Sequence, residues 1–210
     1  MVLVTEREIP DATVSRLPLY RRALLELAAN GCQTVSSADL AELAGVNAAK
    51  VRKDFSHLGT DGVRGVGYDV DGLIAQMGEV LGLDVESPVV IVGMGNLGQA
   101  LAHYSGFVSK GYPIVGLVDA DPEKVGAKIA GISVSGLEEL ETLIEELNVA
   151  VGIIATPGTA AQGVADALVA AGVHSILTFA PTVIAVPAEV PVRRVDLATE
   201  LQILGYYSQR

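Results

Sequence analysis

Residues 89–98, Val-Val-Ile-Val-Gly-Met-Gly-Asn-Leu-Gly, constrain the fold of this chain more than any other segment. Four β-branched residues in a row predict a short strand buried on both faces, and Gln99-Ala100-Leu101-Ala102 predicts a helix directly after the last glycine. A G-x-G-x-x-G placed between strand and helix is a dinucleotide fingerprint. Gly93 permits the tight turn, Gly95 lets the backbone approach a pyrophosphate, and Gly98 allows close helix packing, while the helix N-terminus offsets the negative charge. Met94, Asn96 and Leu97 complete the predicted cofactor loop. A second strand, 114–118, ends at Asp119, 21 residues beyond Gly98. An acid there accepts hydrogen bonds from the adenosine ribose and repels a 2′-phosphate, favouring NAD over NADP, with Lys124 near enough to soften the preference.

The alternation continues with a helix over 137–147, a strand over 149–155, a helix over 159–171 and a strand over 175–180. Such a pattern predicts a parallel, doubly wound sheet whose ligand crevice lies at the carboxyl ends of its strands. Thr156, Pro157, Phe179 and Ala180 stand at two of those ends and are predicted to line the dinucleotide. The glutamates from Glu138 to Glu146 read as a solvated helix face. A content of 50% hydrophobic residues with 23 glycines among 210 residues suits buried parallel strands joined by tight turns, and excludes a disordered chain.

No apolar run approaches the roughly 18 residues a membrane span needs. Glu6, Arg7 and Glu8, close behind Met1, leave no room for the apolar core of a signal peptide, so a cytoplasmic location is expected. Cys32 is the sole cysteine; an internal disulfide, a Cys-based zinc site and a CxxC pair are excluded, no metal is expected, and the thiol is predicted to be buried.

The first third of the chain has a different character. Through residue 72 there are eight basic and ten acidic residues, whereas the rest carries six and fifteen, an asymmetry that points to two parts with different partners. Helical spacing predicts a first helix over 18–29, stopped by Asn30-Gly31. A second starts at a Ser36–Asp39 capping box and ends at Gly45; a third is capped by Asn47 and runs to about Ser56. On the third, Val51 and Phe55 face inward while Lys50, Arg52 and Lys53 lie elsewhere. Gly59 to Tyr68, with four glycines and Arg64, predicts a tight hairpin. Helix, glycine turn, basic helix and hairpin together suggest a winged helix-turn-helix. Asn47, Lys50, Arg52, Lys53 and Ser56 would meet bases and phosphates, Arg64 would act from the wing, and Gly65 and Gly67 would let the wing backbone come close to the sugar-phosphate chain. An ordinary helical bundle with a solvated basic face fits the same pattern. Residues 69–87 read as a connecting helix followed by a polar stretch.

A dehydrogenase usually adds a substrate chamber and a proton donor. Here the predicted dinucleotide unit runs almost to residue 210, and the histidines are scattered, His57 by the basic helix, His103 inside a helix after the fingerprint and His174 at a turn, with structural roles expected for each. A nucleotide site without evident chemistry suggests a sensor. An NAD-dependent oxidoreductase whose helical N-terminal part holds the substrate is the alternative, and a CoA-binding module is another.

Ile9-Pro10, Ala12-Thr13-Val14, Arg16-Leu17-Pro18, Tyr20, Val51-Arg52-Lys53-Asp54, Arg64-Gly65-Val66-Gly67-Tyr68, the Gly93–Gly98 loop and Asp121-Pro122 resemble the Rex family of redox-sensing transcriptional repressors over nearly the whole chain. The resemblance implies a winged-helix DNA-binding domain over 1–82, a Rossmann NAD(H)-binding domain over 83–192 and a C-terminal helix over 193–210 exchanged between subunits of a homodimer. It implies no catalysis: the dimer binds double-stranded operator DNA when NAD+ predominates and releases it when NADH binds. It adds Asp121 to the cofactor set, likens Arg16 and Asp196 to a pair coupling the two domains, and likens Tyr104 to a switch tyrosine beside the nicotinamide. Leu197, Leu201 and Leu204 share one face of the last predicted helix, which needs a partner to cover it. The chain departs from many relatives in having His57-Leu58 after the basic helix and Asp61 in the wing, where an acid repels phosphate, and in starting Val118-Asp119 rather than Phe-Asp.

Overall fold

The computed structural model describes residues 9–208, so the charged start Glu6 to Glu8 lies outside the described residues. The chain forms two compact units that divide between Asp84 and Val85.

The first unit begins with a single turn, α1 (Asp11–Val14), and α2 (Leu17–Ala29), with Pro18 in the first turn where its missing N–H costs nothing. A two-residue strand β1 (Thr34–Val35) leads to α3 (Ser37–Ala44). Ser36 caps α3 by accepting the Asp39 N–H and donating its hydroxyl to the Asp39 carboxylate, and Gly45 ends it with a φ of 69°. Asn47 then accepts the Lys50 N–H to start α4 (Ala48–His57). Tyr68–Asp69 form β2, antiparallel to β1, and Asp69 caps α5 (Val70–Val80). The connecting helix is thus shorter than 69–87. Leu17, Tyr20, Leu24, Leu40, Val51, Phe55, Leu73 and Met77 make one buried core beneath α2 to α5.

The second unit is a seven-stranded sheet. Its elements in chain order are β3 (Val89–Val92), α6 (Asn96–Ala102), α7 (Ser105–Val108), β4 (Ile114–Val118), β5 (Lys128–Ile129), β6 (Ile132–Ser135), α8 (Leu140–Glu146), β7 (Val151–Ile154), α9 (Gly158–Ala170), β8 (Ser175–Thr178), β9 (Val192–Arg194) and α10 (Leu197–Ser208). The spatial order β5-β6-β4-β3-β7-β8-β9 has β5 antiparallel and all other pairs parallel. Counting only the parallel strands, this is the 3-2-1-4-5-6 order of a Rossmann sheet, with its switch point between β3 and β7. Both faces are covered. Leu140, Ile144, Ala161, Ala165 and Leu168 bury one, while Met94, Ala102 and Phe107 pack on the other.

Two expectations are corrected. His103 does not sit inside a helix: it is the C-cap of α6, and extended backbone at Tyr104 separates α6 from α7. Cys32 is exposed, because it lies in the turn after Gly31 rather than on the apolar side of α2. Gly67 also serves a close approach within the protein: with φ at 101°, a side chain there would overlap the backbone of Val35 on β1.

Candidate functional site

The switch-point crevice is built from the backbone outward. Gly93 leaves β3 with a φ of 102°, its N–H bonded to the Val118 carbonyl. A Cβ on Gly98 would overlap the Gly93 carbonyl, so α6 packs against the loop at a distance only glycine permits. Gly95, by contrast, is exposed and has open space where a side chain would be. The two glycines therefore do different work: Gly98 shapes the loop, and Gly95 clears its outer face. Asn96 and Leu97 are exposed in the first turn of α6, whereas the Met94 side chain is fully buried in the core.

Asp119, 7% exposed, ties the loop to β4. Its carboxylate accepts the Met94 N–H at 2.6 Å, the Asp121 N–H at 2.8 Å and the Lys124 ammonium at 3.2 Å. Burial alone would push this carboxyl up, but the two N–H groups and Lys124 outweigh it and hold it below the usual carboxylate range. An ionised carboxylate offers about four lone-pair sites, so one remains for a ribose hydroxyl. Lys124 also stands 3.6 Å from Asp121, so its charge is shared between two carboxylates and the cluster stays net negative.

Across the switch point, Thr156 follows β7, and its enclosed hydroxyl has no hydrogen-bond partner among the described residues. An enclosed, unpaired hydroxyl on a side chain whose methyl group abuts Gly93 fits a polar ligand group. Pro157 is exposed; Phe179 is half-buried with its N–H on Ile154; Ala180 is buried, its N–H held by the Thr178 hydroxyl. Open backbone at Gly95, spare acceptor capacity at Asp119 and the orphan hydroxyl of Thr156 together suit a dinucleotide.

Tyr104 is 56% exposed, with its ring edge-on to Phe107 at 5.0 Å. It borders an apolar hollow of about 410 Å³ floored by Val89, Val151, Ile153 and Leu177. A larger hollow of about 470 Å³, beside Asn148 and His174, opens at the amino ends of β7 and β8 and so lies away from the crevice. Asp196 caps α10, accepting the Ala198 and Thr199 N–H groups and the Thr199 hydroxyl; the Thr199 bonds above all lower its pKa. None of the large side chains of α10 is buried: Leu197, Leu201 and Leu204 are each at least 58% exposed. Among the described residues no cluster of three or more His, Cys, Asp or Glu is placed to hold a metal.

In the first unit, Asn47, Lys50, Arg52, Lys53 and Ser56 are all exposed on or just before α4, while Val51, Asp54 and Phe55 are buried. Arg52 donates to the Ser37 hydroxyl, which binds the start of α3 to α4. The wing closes through a single bridge between Val63 and Gly67 and leaves Arg64 and Gly65 exposed at its tip. Side chains of suitable chemistry thus share the outward face of the second helix of a helix-turn-helix beside a short wing.

Sequence reasoning missed one buried group. Asp54, 1% exposed, was readable only as an acid among basic neighbours. Its carboxylate accepts Arg16 Nε and Nη2 at 2.7 Å each, the Tyr20 hydroxyl at 2.7 Å and the Thr13 hydroxyl at 2.9 Å. Burial would raise its pKa; the bonds from Arg16, Tyr20 and Thr13 outweigh that and lower it. Arg16, likened to a coupling residue, is therefore engaged within its own unit.

Residues 8–56 match the family model described as "Putative DNA-binding protein N-terminus", and residues 84–182 match that of the CoA binding domain. Over 204 residues the chain is 58% identical to the redox-sensing transcriptional repressor Rex of Streptomyces coelicolor, spanning 97% of this chain and 79% of the relative. Rex of Carboxydothermus hydrogenoformans is 48% identical over 203 residues, spanning 97% and 98%. The crystal structure of RSP, a Rex-family repressor, in complex with β-NAD+ and operator DNA matches with a TM-score of 0.87 at 37% identity, covering 95% of this chain and 92% of that one. RSP in complex with β-NADH matches at 0.84 and 36%, covering 95% and 94%. Similarity of this extent runs through the winged helix-turn-helix and the Rossmann sheet alike, and so the chain belongs to the Rex family of redox-sensing transcriptional repressors.

Proposed function

We propose that this chain is a redox-sensing repressor that binds operator DNA as a homodimer when NADH is scarce relative to NAD+ and releases it on binding NADH. The observation that carries the reading is near full-length similarity to a Rex-family protein solved with β-NAD+ and operator DNA and also with β-NADH. In this reading residues 1–82 bind DNA, 83–192 bind the dinucleotide and 193–210 dimerise. A regulator acting on DNA works in the cytoplasm.

The nucleotide lies along the Gly93–Gly98 loop. Gly95, Asn96 and Leu97 face the pyrophosphate, and Met94 contributes only through the loop's shape, because its side chain is core and its N–H belongs to Asp119. The negative cluster of Asp119, Asp121 and Lys124 receives the adenosine ribose and disfavours a 2′-phosphate, so NADH is preferred to NADPH. Thr156, Pro157, Phe179 and Ala180 line the crevice, and Tyr104 reads the nicotinamide, where NAD+ and NADH differ in charge and planarity. Arg16, Tyr104 and Asp196 form the switch. Linkage requires that DNA weaken NADH binding by the factor with which NADH weakens DNA binding.

The test is fluorescence anisotropy of a pool of palindromic duplexes at fixed salt, titrated with the protein in NAD+ and then challenged with NADH. Specific binding reversed by NADH is the expected result. No binding to any pool member, together with steady NADH turnover on a panel of small carbonyl compounds, would favour the oxidoreductase reading. The CoA binding domain match keeps one further competitor in the experiment: displacement of NADH by CoA would mark a CoA module.

Exposed Lys53 is expected to contact a phosphate. Lys53→Ala should weaken DNA binding across sequences and reduce the slope of log affinity against log salt by about one. An unchanged slope would make Lys53 a bystander.

A further inference from the structure

We infer that Asp54 is a positioning residue for DNA binding: its buried carboxylate sets the orientation of α4, and through it the wing, by gathering donors from the preceding helices. The inference rests on the reading of α4 as the DNA-contacting helix. Asp54 follows Lys53 directly and lies one turn beyond Lys50, both exposed on the outward face of α4. Its four donors come from three side chains in other elements: Thr13 on α1, Arg16 at the start of α2 and Tyr20 one turn further along α2. Every acceptor position of the carboxylate is filled, so the bonds specify one angle and one register of α4 against α2.

The same helix carries the restraint to the wing. Phe55 meets Tyr20 edge-on at 5.7 Å and Tyr68 edge-on at 4.8 Å. Tyr68, at the base of the wing, packs so closely on Gly62 that a Cβ there would sit 2.9 Å from the ring. A continuous path therefore runs from Asp54 and Tyr20 through Phe55 and Tyr68 to the hairpin bearing Arg64. An apolar core could hold these helices together equally well, because a buried ion pair seldom stabilises more than apolar residues of the same volume. What the polar network adds is geometry, and geometry matters most where a helix must present Lys50, Arg52 and Lys53 to a rigid duplex.

The experiment uses the full chain and the duplex selected above, with unfolding followed by circular dichroism and DNA binding measured across salt concentrations. Tyr20→Phe deletes one donor and keeps the ring contacts. It is expected to remain folded, keep the wild-type salt slope and NADH affinity, and bind DNA about tenfold more weakly, because an α4 less firmly oriented must be ordered at the moment of binding. The charge-free triple variant Arg16→Met, Tyr20→Phe, Asp54→Leu is expected to unfold later than Asp54→Asn, which leaves the half-buried Arg16 cation without its carboxylate, yet still to bind DNA at least about tenfold more weakly than wild type. Wild-type DNA affinity in Tyr20→Phe would overturn the inference. So would a reduced salt slope in that variant, or DNA affinity that returns with stability in the triple variant. If the unaltered chain binds no duplex, it is the repressor reading that fails.

Discussion

Replacing Gly98 by alanine is expected to lower NADH affinity by about a hundredfold or more, nearly 3 kcal/mol, and to leave a protein that holds its operator whether or not NADH is present. One methyl group suffices because the Cβ would overlap the Gly93 carbonyl, and Met94 Cε lies only 3.1 Å from it, so relief requires α6 or the loop to move. Overpacking of this kind costs about 1–3 kcal/mol and so also lowers the unfolding midpoint of the second unit. Gly95→Ala separates the two causes. At Gly95 φ is −76° with nothing near the Cβ, so alanine fits the unliganded loop without strain. That variant should unfold at the wild-type temperature and still lose NADH affinity, because the methyl occupies the space through which the pyrophosphate approaches. Isothermal titration with NADH, beside thermal unfolding, reads both. Full affinity in Gly95→Ala would remove the loop from the pyrophosphate site, and full affinity in Gly98→Ala would show that the loop tolerates displacement.

The difference between those glycines marks the limit of what the sequence makes legible. Strand, loop, helix and acid at positions 89 to 119 are consecutive, and their order alone prescribes the crevice. Pieces that depend on distant partners are not visible in this way. The hairpin β5–β6 escapes notice because its two-residue turn is Ala130-Gly131, with φ of 50° and 86°, in place of the Asn-Gly or Asp-Gly that announces such turns. Val192-Arg193-Arg194 becomes a strand only because β8 offers it an edge to pair with. Asp54 reads as surface charge because it stands between Lys53 and Phe55, while the donors that bury it lie 34 to 41 residues earlier. The helix-turn-helix is readable from its caps, Ser36, Gly45 and Asn47, each of which acts within four residues of its own position. Lys124 shows a subtler limit. Its nearness to Asp119 in sequence suggested a softened preference for NAD, and only the shared contact with Asp121 leaves the cluster negative.

The pair of substitutions Leu201→Glu and Leu204→Glu is expected to convert the protein to a monomer at micromolar concentration and to lower operator affinity by about a hundredfold or more. In the structure α10 is an apolar helix in search of a covering: Leu201 is 68% and Leu204 63% exposed, and exposed Leu197 and Tyr207 extend the same side of the helix. Fully burying a leucine stabilises by about 1.5–3 kcal/mol. In a two-fold dimer each substitution acts twice, so the pair removes roughly 6–12 kcal/mol of association energy and places four carboxylates in an apolar contact. The helix itself should persist, because its N-terminus is held by Asp196 through Ala198 and Thr199, far from the substituted positions. Operator binding falls with the dimer because two half-sites read by linked winged helices gain an effective concentration that a monomer lacks. Sedimentation velocity and anisotropy on one preparation check both parts. A variant that remains dimeric would show that α10 is not the dimer contact, and a monomer with full operator affinity would show that each winged helix binds on its own.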